Sequence, residues 1–284
     1  MGSGTDVAKE SADMVLVDDN FATIVKGVQE GRSIYANMQA FISFLISCNI
    51  GEVLAVFFST VMGFPSILSA MHLLWLNLVT DGPPATALSF NPPDRSIMTQ
   101  KPRPVDEQII TGPLLTRYVV TGIYIGLVTV TIFAHSFQSQ GVSIHELSHW
   151  SSCESWHSSS VHTKTCEDLF GPEALRLPRT LSLTTLVTVE LLKALCSVSM
   201  DSSLLTVGPQ ENPYLVLGVS IPFMIHLLLV YSERFHLPIL GESFGLAPLE
   251  TEHWVLIMAL SLPILLLDEI LKLLTNSAHK KEMK

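Results

Sequence analysis

LLWLNLVTDGPP, residues 73–84, decides how this chain is read. It lies in an apolar run that suits a membrane-spanning helix, yet it carries Asn77, Thr80 and Asp81 and ends in Gly82-Pro83-Pro84. Positions i, i+3 and i+4 put all three polar side chains on one face of a helix. Pro83 and Pro84 have no amide hydrogen and open the helix ladder near Asp81. A carboxylate in hydrocarbon costs about 2.5–3.5 kcal/mol on insertion scales unless something compensates it. Oxygen ligands beside a broken helix at membrane depth point to a cation site.

Composition sets the frame around that stretch. The chain has 284 residues, 48% hydrophobic and 15% charged, with a mean hydropathy of +0.42. Soluble domains carry about 25% charged residues, and here the apolar residues come in long blocks. The expected partner is therefore membrane lipid, and a net charge of −10 argues against nucleic acid. Cys48 and Cys196 fall inside apolar runs and read as inert core thiols. Cys153 and Cys166 share a polar loop and can bridge if that loop faces an oxidising lumen.

Taken in order, the chain predicts an all-α polytopic membrane protein of six transmembrane helices, preceded by a short α/β remnant of a larger domain. Thr5 or Ser3 caps a short helix through Lys9, and ADMVLVDD, residues 12–19, reads as a strand. Asn20 caps a long rod that continues into the first span at residues 41–62. Further spans are expected at residues 68–90, 114–133, 181–200, 214–231 and 254–274. Gly122 and Gly126 are spaced for close helix packing. Arg95, Lys101, Arg103 and Arg117, with Lys280, Lys281 and Lys284 in the tail, place both termini and the loop at 91–113 on the cytoplasmic side. The loop at 135–179 then faces the lumen. Its His145, His149, His157 and His162 lack finger-like spacing and read as solvated.

Polar residues recur inside the spans. Asn49 and Glu52 share a face of the first, beside Gly51, and Glu190 lies in the fourth. With Asn77, Thr80 and Asp81 they offer three carboxylates, two amide oxygens and a hydroxyl, the hard donors that Ca²⁺ takes six to eight at a time. Each has a plainer reading: interhelical hydrogen bonding for the asparagines, backbone bonding for Thr80, pairing with Lys193 for the acids. Their conjunction beside a Gly-Pro-Pro break favours the cation site. Two Ca²⁺ bring four positive charges against three carboxylates, so two ions need a further carboxylate from outside this chain. Asp268-Glu269 beside Lys272 reads instead as a salt-bridged cap at the membrane edge.

MGSGTDVAKESADMVLVDDNF, EGRSIYANMQAFISFLISCNIGE, LLWLNLVTDGPPATALSFNPPD, VTVELLKAL and SLPILLLDEILK together resemble P-type calcium-transporting ATPases, best the sarco/endoplasmic reticulum (type IIA) branch. The resemblance implies a C-terminal fragment. Residues 1–25 correspond to the end of the cytoplasmic phosphorylation domain, and residues 26–90 to the stalk and first two membrane helices with ion ligands. Residues 91–113 form a cytoplasmic loop, and residues 114–284 four further helices. By the same resemblance Asn49, Glu52, Thr80, Asp81 and Glu190 form one calcium site, Asn77 and Asp81 belong to a second, and Cys153 pairs with Cys166. Ca²⁺ is the transported ion, carried from cytosol to endoplasmic reticulum lumen. ATP and Mg²⁺ belong only to the full-length parent, with the phosphorylation, nucleotide and actuator domains and the first four helices as partners. The phosphorylated-aspartate motif is not in this chain, so it is expected to be inactive alone.

One departure is Lys193, where the reticulum pumps carry Asn. It is expected either to pair with Glu190 or, preferably, to point away and reach the cytoplasmic edge. The competing function is a truncated non-catalytic membrane protein that binds cations or modulates a full-length pump. A secondary transporter is disfavoured by the lack of an internal repeat.

Overall fold

Asn20 starts the longest element. Its side-chain oxygen accepts the Ala22 amide at 3.0 Å, and helix α2 then runs unbroken over Phe21–Val61. At 1.5 Å per residue that is about 60 Å, roughly twice the thickness of a bilayer core. The computed structural model describes the chain except residues 94–96, 100–101, 103–107, 153–165, 200–202, 205, 236–240, 242 and 283–284, and leaves the side chains of 276–282 undescribed. Arg95, Lys101, Arg103, Cys153, His157 and His162 therefore lie outside the described residues, as do the side chains of Lys280, Lys281 and Lys284.

Before α2, Thr5 caps the short helix α1 (Asp6–Glu10) as expected. The expected strand at 12–19 does not form, and no β-strand occurs among the described residues. A strand needs a neighbour to take its backbone groups. Here the stretch is held instead by the Gly2 amide on the Leu16 carbonyl at 2.6 Å and the Ser3 amide on the Asp19 carboxylate at 3.1 Å.

The membrane count is also corrected. Four helical stretches among the described residues are long and apolar enough to cross a bilayer: Phe21–Val61, Gly112–Gln138, Pro213–Val230 and Thr251–Thr275. The expected span at 68–90 is broken into α3 (Ala70–Trp75), a π-helical segment (Leu76–Thr80) and α4 (Gly82–Leu88). The expected span at 181–200 is a helix, α8 (Arg176–Cys196), but its threonines, Glu190 and Lys193 make it too polar to qualify.

Further α-helices among the described residues are α5 (Gly112–Gln138), α6 (Ile144–Ser148), α7 (Cys166–Phe170), α9 (Pro213–Val230), α10 (Thr251–Ser261) and α11 (Pro263–Glu282). Proline 263 cannot continue the α10 ladder, which explains the break within the last apolar stretch. Helix α8 is the axis of the bundle, packed by α5, α9, α10 and α11. Its polar residues Thr180, Ser182, Thr184, Thr185 and Thr188 are buried by those helices, and most bond their own backbone, as in Thr185 to Leu181 at 2.7 Å and Thr188 to Thr184 at 2.7 Å.

Helices α2 and α5 meet along a glycine seam. A Cβ on Gly122 would lie 2.4 Å from Ile50 Cγ2, and one on Gly51 would lie 2.6 Å from Ile125 Cγ2. On the Gly126 side the distance is 3.0 Å to Leu54 Cβ. The spacing of Gly122 and Gly126 thus does what the sequence predicts: it lets two backbones approach. Gly122→Val is expected to push α2 from α5 and cost about 1–3 kcal/mol, as overpacked cores do. Thermal unfolding in detergent checks this; an unchanged midpoint contradicts the seam.

Candidate cation site

Three elements converge on the site: the middle of α2, the π segment with the start of α4, and the second half of α8. The π geometry follows from the prolines. Pro83 and Pro84 have no amides to give to the carbonyls of Val79 and Thr80, so the ladder slackens there. The Asp81 amide bonds the Leu76 carbonyl, five residues back, at 2.9 Å. Ala85 then resumes the α pattern onto the Asp81 carbonyl at 3.0 Å.

This wider turn separates residues that an ideal helix would align. Thr80 and Asp81 are buried, at 0% and 1% exposure, whereas Asn77 is exposed at the rim. Asn77 Nδ2 reaches back to Glu52 Oε2 at 2.9 Å and to the Leu73 carbonyl at 3.1 Å. Asn49 is also exposed, and its Nδ2 donates to the Leu45 carbonyl of its own helix at 2.8 Å.

Asp81 and Glu190 come together from different helices. Ligand atoms of Asp81, Glu190 and Cys48 all lie within 4.8 Å of one another, and all three residues are buried. Glu52, itself buried, lies one turn beyond Cys48 on α2. Glu52 Oε1, Thr80 Oγ1, both Asp81 carboxylate oxygens and both Glu190 carboxylate oxygens have no hydrogen-bond partner. Buried polar atoms are normally paired, so the open carboxylate oxygens of the adjacent Asp81 and Glu190, with Glu52 Oε1 and Thr80 Oγ1 also open on the same elements, fit a group that supplies positive charge. The donor set, oxygen-rich and with one sulfur, suits a hard divalent cation better than a soft one. Sequence reasoning passed over Cys48 as an inert thiol. Its four-residue offset from Glu52 on α2 was the available signal.

A second charged cluster lies further along α8, and it corrects three expectations. Lys193 neither pairs with Glu190 nor reaches a membrane edge; it is 1% exposed, with Nζ 2.5 Å from Asp268 Oδ1. Asp268 is no edge cap but fully buried, taking Arg117 Nη2 at 2.9 Å and Lys272 Nζ at 3.3 Å as well. Arg117, expected as a cytoplasmic anchor, is 2% exposed in this network. Only Glu269 sits toward the surface, accepting the Leu204 amide at 2.8 Å. A local helix rule could not foresee this, because the partner of Lys193 comes from α11, 75 residues on.

Elsewhere, Cys166 is disulfide-bonded and Cys48 and Cys196 are free thiols. His145 and His149 stack with ring centroids 4.5 Å apart, and His149 Nδ1 lies 2.9 Å from the His145 carbonyl.

The described residues thus form a helical bundle of membrane-length helices in which buried acids meet at a π-helical break. The chain belongs to the cation-transporting ATPases: residues 65–274 match the family described as cation transporting ATPase, C-terminus. It is 44% identical to the endoplasmic reticulum-type calcium-transporting ATPase 4 of Arabidopsis thaliana, over 95% of this chain and 27% of that protein. It is 41% identical to a calcium-transporting ATPase of Plasmodium falciparum, over 99% of this chain and 24% of the relative. A probable calcium-transporting ATPase of Trypanosoma brucei brucei is 42% identical, over 100% and 29%. The chain thus spans about a quarter of the length of the relatives it matches. It is a calcium-ATPase-related membrane protein.

Proposed function

We propose that this chain is the C-terminal membrane portion of an ATP-driven Ca²⁺ pump that moves Ca²⁺ from the cytosol into the endoplasmic reticulum lumen. The observation that carries the reading is the group of six unpartnered buried oxygens of Glu52, Thr80, Asp81 and Glu190. Ca²⁺ binds six to eight oxygens at about 2.3–2.6 Å in flexible geometry, and these side chains come from three elements that can adjust independently. Asn77 spends its amide nitrogen on Glu52, which leaves its oxygen for the ion. Asn49 likewise uses its amide nitrogen on the Leu45 carbonyl, which leaves its oxygen for the ion.

In this reading Asn49, Glu52, Thr80, Asp81 and Glu190 hold one ion. Asn77 and Asp81 contribute to a second, completed by a carboxylate from elsewhere in the pump. ATP and Mg²⁺ belong to the longer protein, whose phosphorylation, nucleotide-binding and actuator domains and first four helices are this chain's partners, and Cys153–Cys166 tie the loop that contains them. The endoplasmic reticulum membrane is the proposed location, after the relatives named for it.

Equilibrium ⁴⁵Ca²⁺ binding in lipid nanodiscs tests the assignment. Glu190→Gln is expected to weaken binding by about tenfold or more, since removing one partner of a buried charge pairing costs roughly 2–5 kcal/mol. Cys48→Ala is expected to leave Ca²⁺ binding within about threefold, because Ca²⁺ takes oxygen rather than sulfur. Unchanged binding in Glu190→Gln contradicts the site; a large loss in Cys48→Ala contradicts the oxygen-only ligand set.

A further inference from the structure

Lys193 lies three residues after Glu190 on α8, a spacing that puts the two Cβ atoms roughly 5–6 Å apart. A buried ammonium takes the carboxylate within reach, because an unpaired charge in the interior is costly. Left to this local rule, Lys193 would close on Glu190 and occupy the oxygens that a cation needs. The structure shows otherwise: Lys193 bonds Asp268, and neither Glu190 oxygen has a partner.

Asp268 has three claimants. Arg117 comes from α5, Lys193 from α8 and Lys272 from α11, and all are buried around the one carboxylate. Lys272 is also held by the Cys196 carbonyl at 2.8 Å and lies 3.8 Å from Glu269. The cluster therefore holds more positive than negative charge, and Asp268 is its only fully buried acid among the described residues. Without it, the nearest acid along α8 for Lys193 is Glu190.

We propose that Asp268 is a positioning residue for cation binding, holding the Lys193 ammonium on the α11 side of α8 so that the Glu190 carboxylate stays open to a divalent cation. The proposal rests on the cation-site reading above. It makes α11, which contributes no ligand, a determinant of the affinity of a site built by α2, the π segment and α8.

The test has two readouts on the full chain in lipid nanodiscs. The first is solid-state NMR recoupling between the Lys193 ¹⁵Nζ and side-chain carboxyl carbons. The parent chain is expected to show an Asp268 contact and no Glu190 contact. Asp268→Asn is expected to gain a Lys193–Glu190 contact that Glu190→Gln removes. The second is ⁴⁵Ca²⁺ binding, expected to weaken about tenfold or more in Asp268→Asn, in line with couplings of neighbouring charged groups. It returns to within about threefold of the parent in Asp268→Asn/Lys193→Met and stays near the parent in Asp268→Glu. Asp268 with a merely structural role would leave the double variant as weak as Asp268→Asn, and that result overturns the proposal. So does a Lys193–Glu190 contact in the parent, or none in Asp268→Asn. If Asp268→Asn does not fold, Lys193→Met alone decides: binding within about threefold of the parent supports the proposal, and a tenfold loss overturns it. If the parent binds no Ca²⁺, the cation reading fails by itself, while the NMR contacts still decide what holds Lys193.

Discussion

Asp81→Asn is expected to reduce Ca²⁺ binding by about a hundredfold or more while leaving the unliganded fold as stable as before. The two halves of that prediction come from the same atoms. Both Asp81 oxygens are buried and neither accepts a hydrogen bond, so no internal contact is lost when one becomes an amide. An Asp81 ligand atom also lies within 4.8 Å of those of Glu190 and Cys48, which come from the other two elements. A divalent ion between those side chains loses a full negative charge on substitution, and losing one partner of a buried charge pairing costs roughly 2–5 kcal/mol, with each 1.4 kcal/mol worth a factor of ten. Thermal unfolding without Ca²⁺ and ⁴⁵Ca²⁺ binding, measured on the same preparation, separate the two effects. A variant that binds normally contradicts the site. One that loses stability without Ca²⁺ shows that Asp81 supports the fold instead.

The second large effect lies in the ion cluster, and it is asymmetric. Asp268→Leu removes the carboxylate shared by Arg117, Lys193 and Lys272, so three buried cations lose a common partner at once. Breaking a buried pair in this way costs about 3–5 kcal/mol. Arg117→Leu removes only one of three claimants, and Asp268 keeps Lys193 at 2.5 Å and Lys272 at 3.3 Å. Its cost is expected to be smaller by at least about 1–2 kcal/mol, because no acid is stranded. Unfolding of the two variants in detergent orders them. Equal losses, or a larger one in Arg117→Leu, contradict the view that Asp268 is the keystone of the cluster.

Much of this was legible in the sequence where local rules dominate. The Asn20 cap, the unbroken rod behind it, the glycine seam at Gly122 and Gly126 and the opened ladder before Pro83 all follow from residues within a few turns of each other. Expectations failed where distant partners decide. Residues 12–19 have strand-forming side chains but nothing to pair with among the described residues. Helix α8 looks like a membrane span in outline, yet other helices, not lipid alone, bury its threonines and charged groups, so its polarity is tolerated. Lys193 points away from Glu190 as preferred, but the fold gives it Asp268 from α11 in place of a membrane edge. The acids of the site were each visible. What could not be read was that the π segment keeps Thr80 and Asp81 inside and leaves Asn77 at the rim, because one widened turn changes which residues share a face.

In the proposed function, Asp81 and Glu190 form the heart of a calcium site. Anomalous scattering from crystals of the protein grown in Ca²⁺ tests it most directly. A peak between the two carboxylates, with oxygens at about 2.3–2.6 Å, is the predicted result. A well-ordered Asp81–Glu190 region with no peak, or with Ca²⁺ bound only elsewhere, would contradict it.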